Sequence, residues 1–246
     1  MLKFYQIIEK VGALHRQLTW YHYLQLLKVN DENEIKYYIN LTIKENLSYR
    51  SLSVKIKSDE YHRLPEETRN KLLVNKVLKT GEEILNPIVI HTSEIKERFN
   101  EKVLQELIMD DLNNFLSQLG EGFTYVRNEY KLNVIETNNY IDILLYNIKS
   151  NRYCVVELKV RELKREDIGQ IKMYMNYIDI NLRSSNQNKT IGILITRGIK
   201  EYEARYIEDN NIYKTTFKIK LTNLWVFIYK TLIMTICYLN NYCVKK

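Results

Sequence analysis

Three ionisable residues stand where an apolar strand has no use for them. Asp142 lies in the run YIDILLY, and Glu157 and Lys159 lie in CVVELKV. Side chains alternate along a strand, so Glu157 and Lys159 share one face while Val156, Leu158 and Val160 take the other. The two runs are joined by NIKSN, which reads as a hairpin turn. Centred on Lys149-Ser150, that turn sets Asp142 opposite Glu157 on one face, about 5 Å away. A slip of one residue would part them. Two carboxylates so close in a low-dielectric groove repel each other and are costly unless a divalent cation neutralises them. Oxygen ligands favour Mg²⁺, which keeps several waters and suits phosphate substrates. A lysine two residues on can hold the attacking water or stabilise charge on the phosphate. The chemistry implied is metal-assisted phosphodiester hydrolysis. A solvated strand face with a surface ion pair would use the same residue types. Against that, the flanking runs IDILLY and VVELKV are too apolar for an exposed hairpin, and Gln170 and Tyr174 fall on one face of the helix that follows.

The elements that must position these groups are read from periodicity. Phe4, Ile7, Ile8, Val11, Leu14 and Leu18 predict a helix over 4–18, and Thr19 caps a second over 20–27. Asp31 followed by Glu34 is a capping-box pattern that opens a third helix, 31–45, carrying Ile35, Tyr38, Ile39 and Ile43. Ser48 caps a short fourth, 48–57. Pro65 starts a fifth, with Leu72, Leu73, Val77 and Leu78 inward and Gly81 just past its end. Asn86-Pro87 is the boundary candidate, and a helix over 95–119 follows it. Strands are expected at 123–132, 140–146, 153–160, 190–196 and 214–221, with helices at 168–180 and 199–208. The fold class expected is therefore mixed, α+β or α/β: an all-helical module followed by a core with a central mixed β-sheet flanked by helices. The domain reading is 1–85 helical module, 86–221 α/β domain and 222–246 apolar tail. The run Leu224–Leu239 holds Lys230 and falls short of the roughly 20 residues that span a bilayer. It reads as a buried segment, with membrane contact the other reading.

Composition bounds the function. Hydrophobic residues at 45% and charged residues at 27% supply enough apolar mass for a core and exclude a disordered chain. The chain has no G-x-x-x-x-G-K-[ST] and no G-x-G-x-x-G, so the usual phosphate cradles are absent. A net charge of +7, most of it within residues 1–80, mildly favours polyanionic partners. Cys154, Cys237 and Cys243 show neither a CxxC spacing nor a disulfide framework, which suits a reducing, cytoplasmic setting. His15, His22, His62 and His91 are scattered singly and read as structural. Trp20, Tyr21 and Tyr23 read as packing residues.

Asp142, Glu157-x-Lys159 and Gln170-x-x-x-Tyr174 resemble the PD-(D/E)XK nuclease superfamily in its RecB-like branch. The stretch RNEYKLNVIETNNYIDILLYNIKSNRYCVVELKV, with GQIKMYMNYID, is similar to the YhcG-type nuclease family. RQLTWYHYLQLLKVND and ENLSYRSLSVKIKSDEYHRL resemble the helical domain preceding the nuclease there. The likeness covers about residues 5–200. It implies a restriction-endonuclease-like fold and a DNA nuclease dependent on Mg²⁺, with Mn²⁺ as a substitute. It also implies Asp142 and Glu157 as metal ligands, Lys159 as the catalytic lysine, and Gln170 and Tyr174 orienting the strand core or touching DNA. The family's glutamate on the first core helix falls on Gln105 here, so Glu106 is taken as the third ligand, with Glu101 the other candidate. The helices 31–45 and 48–57 resemble a helix-turn-helix pair, with Arg50, Lys55 and Lys57 as nucleic-acid contacts. Lys164 and Arg165 are candidates for DNA contact beside the active site. The partners expected are DNA and a second copy of the chain, with no small-molecule cofactor. The competing expectation, favoured by Gln105, is a catalytically inactive nucleic-acid-binding or assembly protein that keeps the fold.

Overall fold

The computed structural model describes residues 18–74, 76–93, 99–133, 139–199 and 209–222. The helices expected over 4–18 and 199–208, the start of the one over 95–119, and the run Leu224–Leu239 lie outside them. The chain divides into two compact units: residues up to Asn86 with Gln118–Gly122, and Pro87–Ser117 with the chain from Phe123 onward.

The helical unit shows how capping side chains set helix starts. Thr19 stands at the N-cap of α1 (Trp20–Leu26). The Asp31 carboxylate accepts from Glu34 N at 2.8 Å and opens α2 (Glu32–Glu45), satisfying one of the amides that a helix start leaves without a partner. Ser48 does the same for α3 (Tyr49–Lys57), accepting from Ser51 N at 3.1 Å. A single turn, α4 (Glu60–Arg63), and α5 (Glu66–Leu73) complete the set. Tyr23, Leu26, Ile35, Tyr38, Ile39, Leu52, Tyr61 and Leu64 form the core. One element here was not expected and one differs in extent. α4 was too short to show a period. The helix from Pro65 stops at Leu73 instead of running toward Gly81, leaving Leu73 exposed and Val77 90% exposed. The chain turns there because Glu82 accepts from Lys79 N at 3.0 Å and from Lys71 Nζ at 3.0 Å.

The second unit runs β1 (Ile88–Thr92), α6 (Glu101–Asp110), α7 (Leu112–Leu119), β2 (Phe123–Lys131), β3 (Tyr140–Asn147), β4 (Arg152–Glu162), α8 (Arg165–Asn181), β5 (Ile191–Gly198) and β6 (Ile212–Leu221). The last two residues of α7 belong to the helical unit. Six strands form one sheet in the order β1-β6-β5-β4-β3-β2. β2, β3 and β4 pair antiparallel, and β4, β5, β6 and β1 pair parallel. The sheet is mixed, as expected. β1 was not foreseen: it is a five-residue edge strand whose partner, β6, lies far along the chain. The helix expected over 95–119 is two helices, α6 and α7, separated at Asp111 by non-helical backbone (φ −128°, ψ 53°).

The β3–β4 register is the one a turn centred on Lys149-Ser150 dictates. Ile143 pairs with Val156, Leu144 with Val155 and Tyr146 with Tyr153. Asn147 Oδ1 fixes the turn by accepting from Ser150 N at 2.9 Å. α8 packs on the strands through Ile171, Tyr174, Met175 and Ile178, which cluster with Leu144, Val155 and Leu194. The close approach needs a missing side chain. A Cβ on Gly192 of β5 would stand 2.7 Å from Ile171 Cδ1 and 2.9 Å from Met175 Sδ. Gly192→Val is therefore expected to lower unfolding free energy in denaturant by about 1–3 kcal/mol through overpacking. Gly192→Ala should cost less, because the atoms it meets lie far out on flexible side chains. A valine variant as stable as the parent would contradict this seating of α8.

Candidate active site

The last pair of the β3–β4 ladder is Ile143 with Val156. Past it the backbone groups take side-chain partners, as buried polar backbone must. Leu158 N donates to Asp142 Oδ2 at 2.7 Å. Gln105 Nε2 donates to Asp142 O at 2.6 Å. Val160 N donates to Glu101 Oε1 at 3.3 Å. Glu101 and Gln105 are four residues apart, so they lie on one face of α6 and tie that helix to β3 and β4.

Glu157 is 2% exposed. Its Oε1 accepts from Lys159 Nζ at 2.7 Å. Its Oε2 is buried and has no hydrogen-bond partner among the described residues. Burial, and then the neighbouring Asp142, push the Glu157 carboxyl up to about 7, with Lys159 opposing. Burial also raises the Asp142 carboxyl, against the Leu158 amide and the Lys159 charge. For Lys159 burial works against the charge, but Glu157 and Asp142 prevail, and its pKa is raised. Lys159 is therefore an ammonium at neutral pH. Tyr174 is buried, its hydroxyl accepts from Gln170 Nε2 at 2.6 Å, and its pKa is raised by burial first, with Glu157 and Asp142 adding to it.

Asp142, Glu157, Lys159 and Tyr174 thus come together, and Gln170 is bound to Tyr174. Glu106 does not join them. It is exposed, about 100° around α6 from buried Gln105, and the α6 acid that reaches β4 is Glu101. Lys164 and Arg165 are exposed where α8 begins. In the helical unit Arg50 is exposed, with Nε donating to Tyr49 Oη at 3.1 Å, and Lys57 is exposed. Lys55 is turned inward, 3.1 Å from Glu60 and 3.6 Å from Glu45, so its charge is neutralised within the unit. Trp20 and Tyr21 are exposed, not packed inside, while Tyr23 is buried. His62 does have a companion carboxylate, Asp59, at 2.6 Å. With Glu34 these two bring three possible ligand atoms within 4.8 Å of one another, but Asp59 and His62 are exposed. Arg161 and Asp167 carry no motif signal, yet they form a bidentate pair at the start of α8, with Arg161 Nη2 2.7 Å from Asp167 Oδ1 and Nη1 2.8 Å from Oδ2.

The donor set fits a divalent cation. Glu157 is buried beside half-buried Asp142, and among the described residues one Glu157 oxygen is left without a bond. An unpaired buried carboxylate oxygen is expensive unless a cation or proton takes it.

The YhcG PDDEXK nuclease domain family matches residues 82–225, and the DUF1016 N-terminal domain family matches residues 1–63. The protein named "Putative nuclease YhcG" of Escherichia coli (strain K12) is 24% identical over 208 residues, covering 81% of this chain and 56% of that protein. The chain thus spans little more than half the length of this relative. Among solved structures, a repair endonuclease from Pyrococcus abyssi is 19% identical, covers 52% of this chain and 49% of its own, and has a TM-score of 0.35. An EndoMS–dsDNA complex is 20% identical, with coverages of 52% and 48% and the same score. At that score, the architecture rests on the strands and pairings described above.

The raised Glu157 carboxyl has a sign that can be tested. Its folded value of about 7 lies above the usual 4.5, so its contribution to stability is present below about pH 4.5 and is lost as pH rises through about 7. In metal-free protein, Glu157→Gln is expected to melt at a higher temperature than the parent at pH 8, with the difference shrinking by pH 5. Parallel melting curves across that range would contradict the burial of an unpaired carboxylate.

Proposed function

Since the chain belongs to the YhcG PDDEXK nuclease family, we propose that it hydrolyses DNA phosphodiester bonds with a divalent cation, Mg²⁺ or in its place Mn²⁺. The observation that carries this reading is the buried Glu157 Oε2, without a partner beside Asp142. Asp142 and Glu157 would hold the cation, with Glu101 as the third acid in place of Glu106. When bound, such an ion polarises the phosphate and lowers the pKa of its water.

The chain's own groups do the rest. Glu157 keeps Lys159 charged, so Lys159 cannot take a proton from water. It donates hydrogen bonds to the phosphate oxygens and offsets the charge that grows there. Water attacks phosphorus and gives its proton to solvent, the bond to the leaving oxygen breaks, and that oxygen takes a proton from solvent. The hydroxyl of Tyr174, held by Gln170, braces the buried side of the site. Exposed Lys164, Arg165, Arg50 and Lys57 supply charge for the DNA backbone.

One observation favours a second reading, that the protein binds nucleic acid without cutting it. Gln105 stands where the resemblance places an acid, and its amide is committed to Asp142 O. Plasmid DNA with Mg²⁺ or Mn²⁺ separates the two. The parent is expected to cleave, and Glu157→Gln and Lys159→Met are each expected to lose at least about 10²-fold in rate while retaining the electrophoretic shift of labelled DNA. A retained shift with no cleavage by the parent in either metal would overturn the hydrolase in favour of the second reading. Equal loss of shift and cleavage in Lys159→Met would remove that residue from catalysis.

A further inference from the structure

Arg161 lies two residues past Lys159 on β4 and against the first turn of α8. Asp167, 2% exposed, holds it by accepting from Nη2 at 2.7 Å and from Nη1 at 2.8 Å. The same carboxylate accepts from Lys164 N at 2.8 Å, which fixes it at the start of the helix. The other Nη1 hydrogen goes to Glu162 O at 3.0 Å. A guanidinium has five N–H donors in a rigid fork. Three are used here, two on Nη1 and one on Nη2. The two that remain, on Nε and Nη2, form the second edge of the fork, and among the described residues no protein group meets it. The Arg161 side chain is 40% exposed although the acid that holds it is buried.

A pair built only for stability would be an odd design. A half-exposed ion pair adds little, and burying Asp167 to make one is costly. What the arrangement does achieve is to immobilise an arginine with one bidentate edge open, and that edge matches two oxygens of a phosphate. It is also close to the cluster. Glu101 bears electrostatically on Arg161, and Asp167 on Lys159 and Glu157. Lys164 and Arg165 stand exposed alongside.

We propose that Arg161 binds a backbone phosphate of the substrate strand beside the one being cut, through its open Nε and Nη2 edge. Asp167 is then the positioning residue that holds the fork in place. This rests on the nuclease reading, and it assigns a phosphate subsite to that site.

The test is binding of the full chain to fluorescently labelled double-stranded DNA, measured by anisotropy without divalent metal from 50 to 200 mM salt. Arg161→Ala is expected to bind more weakly and to lose about 0.9 from the slope of log affinity against log salt, the value of one phosphate contact. Arg161→Lys, which keeps the charge but not the fork, should keep the slope and still bind more weakly than the parent. Asp167→Asn is the sharpest arm. Removing an acid beside DNA should tighten binding if only net charge matters, whereas loss of the positioned fork should weaken it. Circular dichroism confirms that each variant is folded, and the surface change Arg161→Lys keeps the test open if Asp167→Asn is not. Parent-like slope and affinity in both Arg161 variants, or tighter binding by Asp167→Asn, would overturn the subsite while leaving the nuclease reading intact. Absence of DNA binding by the parent at every salt concentration would overturn both.

Discussion

Among the described residues, Glu157 holds Lys159 with one carboxylate oxygen and nothing with the other, inside a sheet whose neighbouring positions are fully buried. Folding alone does not favour this. An apolar residue of similar size would pack the same space without removing a charge from water. Asp142 makes the cost larger, since its charge adds to the rise at Glu157. The arrangement persists because the scaffold over-determines it. β4 is paired on both sides, antiparallel to β3 and parallel to β5, so Glu157 cannot turn outward without breaking the ladder.

The rest of the second unit serves that constraint. The tight β3–β4 turn fixes the register, so that Asp142 and Glu157 meet on one face. Past the last ladder pair, the amide of Leu158 orients the Asp142 carboxylate. Gln105 and Glu101 bind α6 to Asp142 O and Val160 N. α8 brings Tyr174 in from its packed face, and the absence of a side chain at Gly192 lets the helix come close enough. Lys159 is the counter-charge to Glu157, and the two neighbouring acids raise its pKa against the effect of burial.

Much of this was legible in the chain because strands encode side by alternation. Once the turn was centred on Lys149-Ser150, the partners of β3 and β4 followed, and the apolar runs IDILLY and VVELKV weighed against a solvated face for the polar residues inside them. The sheet's mixed pairing was readable for a similar reason. Helical phase was less accessible. Whether Glu101, Gln105 or Glu106 faces β4 depends on a rotation of about 100° per residue, and packing sets that rotation. β1 escaped notice because its five residues gain meaning only from β6, a partner distant in sequence. The inward turn of Lys55 depends on Glu45 and Glu60, which no local pattern joins to it. The Arg161–Asp167 fork is legible only when the end of β4 and the start of α8 are seen together.

The central claim is that a divalent cation belongs on the unpaired oxygen of Glu157. Anomalous diffraction from crystals grown with Mn²⁺ tests it most directly. The account predicts a manganese peak within bonding distance of the carboxylates of both Asp142 and Glu157. A structure with neither peak nor ligand density there, or with manganese bound only among Glu34, Asp59 and His62, would contradict it.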